Sequence, residues 1–261
     1  MSRKHTDRNK HQGKPRRGRS GQGGQTWIYG RHAVAAALAN PKRQILRLVA
    51  TQEMAADVER MEAERNLPLV IEKMERTTID RLLEFGAVHQ GVAAQVAPLP
   101  DLALDEAVSG ADIVVVLDQV VDPHNVGAIL RSCAAFGVGT LIMQDRHSPA
   151  EAGSLAKAAS GALEWVPIAR VTNISRALEQ LKNLGFWIAG LDGEADHELG
   201  GIPLQAPLAL VMGAEGDGLR RLTREACDHL LAIPSARADL SLNVSNAAAV
   251  ALYEARRSIS A

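Results

Sequence analysis

The chain has 261 residues, 46% of them hydrophobic and 23% charged, with a formal net charge of −1. This composition excludes disorder over the whole length, and no apolar run reaches the roughly 18 residues that a membrane-spanning helix needs. Cys133 and Cys227 are the only cysteines, which excludes a disulfide framework and a cysteine-rich zinc site; with no apolar stretch behind the charged N-terminus, the expected compartment is the cytoplasm.

Residues 1–25 hold eight Lys/Arg and one acid, Asp7, and are nearly free of apolar side chains. They cannot bury enough surface to offset the entropy of ordering, so they read as a disordered basic tail suited to an anionic polymer. The remaining chain is acidic, with 21 Lys/Arg against 29 Asp/Glu.

Residues 26–97 read as a small α/β domain. Helical patterns cover Gly30–Leu38, Met54–Asn66 and Thr78–Phe85; strand patterns cover Ile45–Ala50, Leu69–Ile71 and Gly91–Val96. The cluster Pro98, Pro100 and Asp101 opens a linker over 98–110. Residues 111–261 read as a second α/β domain. Its strands are expected at Ile113–Leu117, Thr140–Met143, Trp165–Ile168, Phe186–Leu191, Leu208–Met212 and Leu230–Ile233. Helices are expected at Val126–Phe136, Ser154–Ala159, Ile174–Leu184 and Leu219–Ala226, with a further alanine-rich helix at the end. Such alternation predicts a mostly parallel sheet covered on both faces.

Several chemistries are missing. The chain has no G-x-x-x-x-G-K-[ST] loop, no H-E-x-x-H, no paired Cys-x-x-Cys and no G-x-S-x-G elbow. Gly213, Gly216 and Gly218 are spaced G-x-x-G-x-G, which is not the dinucleotide turn and argues against a nucleotide-binding oxidoreductase. A site without metal is expected.

Three stretches stand out. In DQVVDPHNVGAILRSCAAFG, from Asp118 to Gly137, Asn125 is a natural N-cap, and Val126, Ile129, Leu130 and Cys133 share one helix face. Gly127 and Arg131 lie four apart, so the glycine leaves room above the arginine for an anion; a capped helix with a solvated arginine is the plainer alternative. In LALVMGAEGDGL, from Leu208 to Leu219, three glycines follow a buried strand and surround Glu215, either as a ligand-approaching loop or as a tight connection. In IPSARADLSLNVSNAAAVALYEA, from Ile233 to Ala255, Ser241 reads as an N-cap, with Asn243 and Ser245 in the first turn.

In this order and at these spacings, the three stretches resemble the sequence motifs of the SpoU (TrmH-like) family of RNA ribose 2′-O-methyltransferases, within the SPOUT superfamily. The first matches D-P-x-N-x-G-x-x-x-R from Asp122 to Arg131. The second matches a strand followed by G-x-E-G-x-G from Gly213 to Gly218. The third matches Ile233-Pro234 and S-L-N-V-S from Ser241 to Ser245, with Ser235 where many members carry methionine. Lys157–Ile168 is also similar to the family, and Ile28–Leu38 and His89–Ala94 resemble the L30e-like RNA-binding domain of its longer members.

The resemblance implies a C-terminal α/β trefoil knot that forms an S-adenosylmethionine site, a homodimer, and an RNA substrate. The N-terminal domain favours a guanosine of the large-subunit ribosomal RNA. Transfer RNA is the alternative within the family, and a non-catalytic RNA-binding module the alternative outside it. By the same resemblance Arg131 is a general base or a phosphate anchor, and because a guanidinium keeps its proton, phosphate anchoring with some help to deprotonation is the physically easier role; Asn125 and Glu215 orient it and the ribose, and Ser241 and Asn243 hold the substrate or the methionine end of the cofactor. Gly213, Ile233 and Leu242 contact the cofactor through backbone groups, the last two also walling the adenine. The alanine-rich last helix suits close contacts at the dimer interface.

Overall fold

A computed structural model describes residues 26–63, 70–100, 102–146, 149, 153–237 and 240–260. The basic tail lies outside the described residues. The N-terminal part contains β1 (Thr26–Tyr29), α1 (Arg31–Ala39), β2 (Ile45–Ala50), α2 (Gln52–Ala63), β3 (Ile71–Lys73), α3 (Arg76–Asp80) and β4 (Val92–Val96). Its four-stranded sheet has the order β1-β4-β2-β3, antiparallel except for the β2–β3 pair. Strand β1 escapes the sequence patterns because it is four residues long and is held by a partner far along the chain, with Thr26 opposite Val96. Helix α3 ends at Asp80 rather than Phe85.

The second part contains α4 (Leu104–Ala107), β5 (Ile113–Leu117), α5 (Pro123–Ala135), β6 (Thr140–Gln144), α6 (Gly153–Ala159), a 3₁₀ turn (Ala162–Glu164), β7 (Ile168–Val171), α7 (Ile174–Asn183), β8 (Trp187–Leu191), β9 (His197–Glu198), β10 (Leu208–Met212), α8 (Arg221–Ala226), β11 (His229–Ala232) and α9 (Val244–Ile259). The strands form a parallel seven-stranded sheet in the order β7-β6-β5-β10-β8-β11-β9. Helix α4 falls inside the stretch read as a linker, and its Ala107 is buried against the sheet. Trp165–Ile168 is not a strand: Trp165 ends the 3₁₀ turn, 66% exposed, and Pro167 has no N–H for a ladder, so β7 starts one residue after it.

Strands β5 and β10 sit in the middle of the sheet and are buried along their whole length. Their side chains alternate between two cores. Ile113, Val115, Leu117, Leu208, Leu210 and Met212 face α5, α6 and α9. Val114, Val116, Ala209 and Val211 face α7. The first of these cores continues through Ile28, Val34, Leu38 and Leu48 of the N-terminal part, so one apolar interior spans both parts.

Helix α9 packs on α5 and on the sheet by its small residues: Ala248, Ala251 and Ala255 are fully buried within the chain. This corrects the expectation that the alanine stripe lies at a subunit interface. The open face of α9 carries Val250 and Tyr253 instead.

Candidate active site

Helix α5 begins three residues earlier than its apolar spacing suggests. Asp122 is the N-cap, accepting from the His124 N–H at 3.0 Å, and Pro123 occupies the first helical position, where a missing N–H costs nothing. Asn125 is therefore not the cap. Its side chain is released from capping and turns toward the other two motifs.

Strand β10 ends at Met212 and runs into the glycine turn. Ala214 and Gly218 exchange two backbone hydrogen bonds of 3.0 Å, and Gly216 and Gly218 take φ of 88° and 65°, where a side chain would be strained. A Cβ on Gly213 would lie 2.1 Å from the Gly218 carbonyl carbon, so the turn closes only on glycine there. The turn lifts Glu215 into solvent.

Asp118, fully buried just past β5, holds both ends of this turn. Its N–H donates to the Met212 carbonyl at 2.8 Å. Its carboxylate accepts from Arg220 Nε at 2.7 Å and from the Arg220 backbone N–H at 3.2 Å, with Arg220 Nη2 2.6 Å away. Neither Asp118 nor Arg220 is marked as a site residue by the motifs; the signal in the sequence is an acid directly after a five-residue buried run.

The third motif returns from β11 to the start of α5. Asn243, not Ser241, caps α9: its Oδ1 accepts from the Ser245 N–H at 2.9 Å and from Ser245 Oγ at 2.6 Å. With Oδ1 so occupied, Asn243 Nδ2 donates to Asn125 Oδ1 at 3.0 Å. Asn125 Nδ2 in turn donates to Glu215 Oε2 at 3.3 Å. The relay Glu215–Asn125–Asn243–Ser245 thus ties the three motifs together, and each amide points the way its acceptor-only or donor-only neighbour requires. Ser245 joins it although only Ser241 and Asn243 were expected to act. The N-termini of α5 and α9 meet here, and both favour negative charge.

Ser241 and Leu242 lie just before the cap and are exposed; Ser241 has no hydrogen-bond partner among the described residues. Gly213 follows β10 and Ile233 follows β11, so both stand at the carboxyl edge of the sheet with the relay. Arg131 is not in the relay. It lies roughly 9 Å further along the α5 axis, exposed, with no hydrogen bond or ion pair among the described residues. Gly127 does not make room for an anion above Arg131: a Cβ there would come 2.4 Å from Ala158 Cβ, so this glycine serves the packing of α5 on α6. A cavity of about 280 Å³ lined by Trp187, Leu204, Leu208 and His229 lies at the opposite, amino edge of the sheet. Among the described residues no group of three or more His, Cys, Asp or Glu side chains is placed to hold a metal ion.

The family model of the SpoU rRNA methylases matches residues 112–253, the span that contains the sheet and all three motifs. The chain belongs to the SpoU rRNA methylase family. A second model, for the substrate-binding domain of RNA 2′-O-ribose methyltransferases, matches residues 27–102. The 23S rRNA (guanosine-2′-O-)-methyltransferase RlmB of Vibrio vulnificus is 42% identical over 240 residues, covering 88% of this chain and 96% of that one. The Escherichia coli K12 protein of the same name is 43% identical over 242 residues, covering 88% and 97%. An uncharacterized tRNA/rRNA methyltransferase of Synechocystis is 40% identical over 237 residues, and there the match spans only 61% of the relative. Among solved structures, the SpoU methyltransferase AviRb of Streptomyces viridochromogenes, in complex with the cofactor AdoMet, is similar with a TM-score of 0.76, 25% identity and 90% coverage of both chains. As a SpoU methylase with its own RNA-binding module, the chain is an RNA 2′-O-ribose methyltransferase.

Proposed function

We propose that this SpoU methylase transfers a methyl group from S-adenosylmethionine to the ribose 2′-hydroxyl of a guanosine in 23S ribosomal RNA. The observation that carries the reading is the relay from Glu215 through Asn125 to Asn243, which draws three separate motifs into one polar centre at the carboxyl edge of the sheet. The near full-length match to the RlmB proteins supports ribosomal RNA over transfer RNA.

The residues at this edge suit the cofactor. Leu242, 48% exposed, and the half-buried Ile233 are apolar side chains available to wall an adenine. The two helix N-termini offer N–H groups to the carboxylate of its methionine end. When bound, S-adenosylmethionine supplies a methyl group on a sulfonium, ready for attack.

The chain's own residues then have to aim a poor nucleophile and take its proton. Arg131, exposed and without a partner among the described residues, grips an RNA phosphate with its planar fork and lowers the cost of negative charge on the ribose oxygen. Asn125, held from both sides by Glu215 and Asn243, orients the ribose. Ser241 contributes a hydroxyl next to Leu242. The protein works as a cytoplasmic homodimer; Val250 and Tyr253, 43% and 59% exposed on α9, give that pairing an apolar face.

The test is methyl transfer from tritiated S-adenosylmethionine to unmodified transcripts, with the product mapped by alkaline resistance. Incorporation at one guanosine of 23S rRNA is expected. Labelling of transfer RNA alone would move the reading to the alternative substrate.

A further inference from the structure

We infer that Arg43, Glu164 and Asn40 form a positioning joint that fixes the RNA-binding part at one distance and angle from the catalytic helix α5; the inference rests on the methyltransferase reading above. Asn40 ends α1, and its Oδ1 is held by the Lys42 N–H at 3.0 Å. That leaves Asn40 Nδ2 to cross the seam, where it meets Glu164 Oε2 at 2.8 Å and the Glu164 carbonyl at 3.3 Å. Arg43 reaches the same carboxylate, with Nε at 3.0 and 3.1 Å from its two oxygens and Nη2 at 2.9 Å from Oε1, while Nη1 donates to the Ala97 carbonyl at 2.9 Å. The Arg43 and Glu164 side chains are 0% and 2% exposed.

At two points of the seam glycines bring the parts into close contact. A Cβ on Gly153 would strike the Tyr29 ring, 2.2 Å away, and one on Gly161 would lie 2.8 Å from Ala36 Cβ. These contacts set how near the two parts lie. A charge-assisted contact in which Arg43 Nε reaches both oxygens of one buried carboxylate has a narrow geometry, so the ion pair adds a constraint on angle to the close packing. Stability is a poor reason for it, because apolar side chains of similar volume often replace a buried pair without loss.

From the joint the path to the site is short and stiff. Glu164 closes the 3₁₀ turn that follows α6; α6 packs into α5 at Gly127; α5 carries Asn125 and Arg131. Lys157 on α6 adds a second tie, donating to the Val88 carbonyl and lying 5.7 Å from the centre of the Tyr29 ring. An RNA gripped by the N-terminal part is therefore presented to α5 at a set reach. In a reaction that depends on alignment, an error of about 1 Å costs on the order of a hundredfold in rate.

The test is the double variant Arg43→Met/Glu164→Leu, measured as full-length protein beside the parent. Its melting temperature and its affinity for S-adenosylmethionine should stay at the parental values. Turnover on a 23S rRNA transcript should fall at least tenfold in kcat, with KM for the RNA changed less than threefold, and neighbouring riboses should become methylated. Independently of any substrate, spin labels at the exposed Thr78 and Leu184, in a Cys227→Ser background with Cys133 buried, should give a broader distance distribution in the variant. A folded variant with parental kcat, a single methylated nucleotide and an unbroadened distribution would overturn the inference. If the double variant does not fold, Arg43→Lys is read by the same measurements, since a point charge cannot bridge Glu164 and Ala97 together. A parent that labels no 23S rRNA would refute the substrate, and the distance measurement would still decide the joint.

Discussion

The side-chain amide of Asn125 donates to Glu215 and accepts from Asn243, joining segments 90 and 118 residues away in the chain. An amide does both, and a carboxylate cannot. Asn125→Asp removes the donor and sets a second carboxylate against Glu215. We expect kcat to fall by about a hundredfold, as for other losses of alignment, with S-adenosylmethionine affinity within a few-fold of the parent. Single-turnover kinetics and calorimetric titration measure the two separately.

Asn243 has two duties that substitution can separate. Asn243→Asp keeps an oxygen for the Ser245 N–H and so keeps the cap on α9, but it loses the Nδ2 donor to Asn125. Asn243→Ala loses both, and the missing cap should cost about 1 kcal/mol of stability. Thermal melts should therefore set the alanine variant below the aspartate variant, while both lose activity. Full activity in Asn243→Asp would mean that the relay does not act in catalysis.

The division between what the sequence reveals and what it hides follows from the range of the interactions. Buried central strands such as Ile113–Leu117 and Leu208–Met212 announce themselves, because burial on both faces needs an unbroken apolar run. Capping side chains crowd the start of both key helices: Asp122 and Asn243 cap, while Asn125 and Ser241 offer the same chemistry nearby. Spacing alone cannot tell a cap from a residue one turn inside. Gly127 shows the limit most plainly. Its pattern places it beside Arg131, yet what it meets is Ala158, a neighbour decided by how α6 returns along α5. Likewise the alanines of α9 signal a close approach without naming the partner, which is α5 and the sheet of the same chain.

That correction yields a prediction with two arms. Ala251→Leu should overpack the intrachain contact and lower stability by about 1–3 kcal/mol. Tyr253→Glu, on the exposed face of α9, loses only the edge-on contact of its ring with Phe136, so it should cost less stability than Ala251→Leu but shift sedimentation toward the monomer. A dimeric Tyr253→Glu protein would remove this face from the interface.

His89 makes the N-terminal part sensitive to acid. It is fully buried; Nδ1 accepts from the Gly91 N–H at 3.1 Å, and Nε2 lies 3.1 Å from Asp80 Oδ1. Burial holds the imidazole below its ordinary value of 6.5, with Asp80 opposing. The folded state thus prefers neutral His89 while the unfolded chain takes up a proton at the ordinary value. Its contribution is complete above pH 6.5 and is lost as pH falls from there toward the lowered folded value. Melting curves should show this fall in the parent, and it should flatten in His89→Gln.

Arg131 should be sensitive to shape as well as to charge. Arg131→Ala is expected to remove nearly all methyl transfer while leaving cofactor affinity in place, because the side chain has no partner among the described residues to disturb. Arg131→Lys keeps the charge but loses the planar fork that meets a phosphate with two hydrogen bonds. Turnover near the parental value in the lysine variant would rule out bidentate contact.

The basic tail should govern affinity and leave selection to the folded parts. Residues 1–25 carry eight Lys/Arg against one acid, while the rest of the chain has 29 acids against 21 Lys/Arg. An acidic body attracts RNA only through local patches, so the tail is the main source of sequence-independent attraction. Each phosphate that it neutralises on a single strand contributes about 0.7 to the slope of log affinity against log salt. Deleting residues 1–25 should therefore weaken RNA binding at low salt and reduce that slope by several units. Phosphate contacts carry no base information, so the methylated nucleotide should stay the same, and turnover at saturating RNA should change little. Equal affinities and equal slopes for the full-length and truncated proteins would leave the tail without a part in binding.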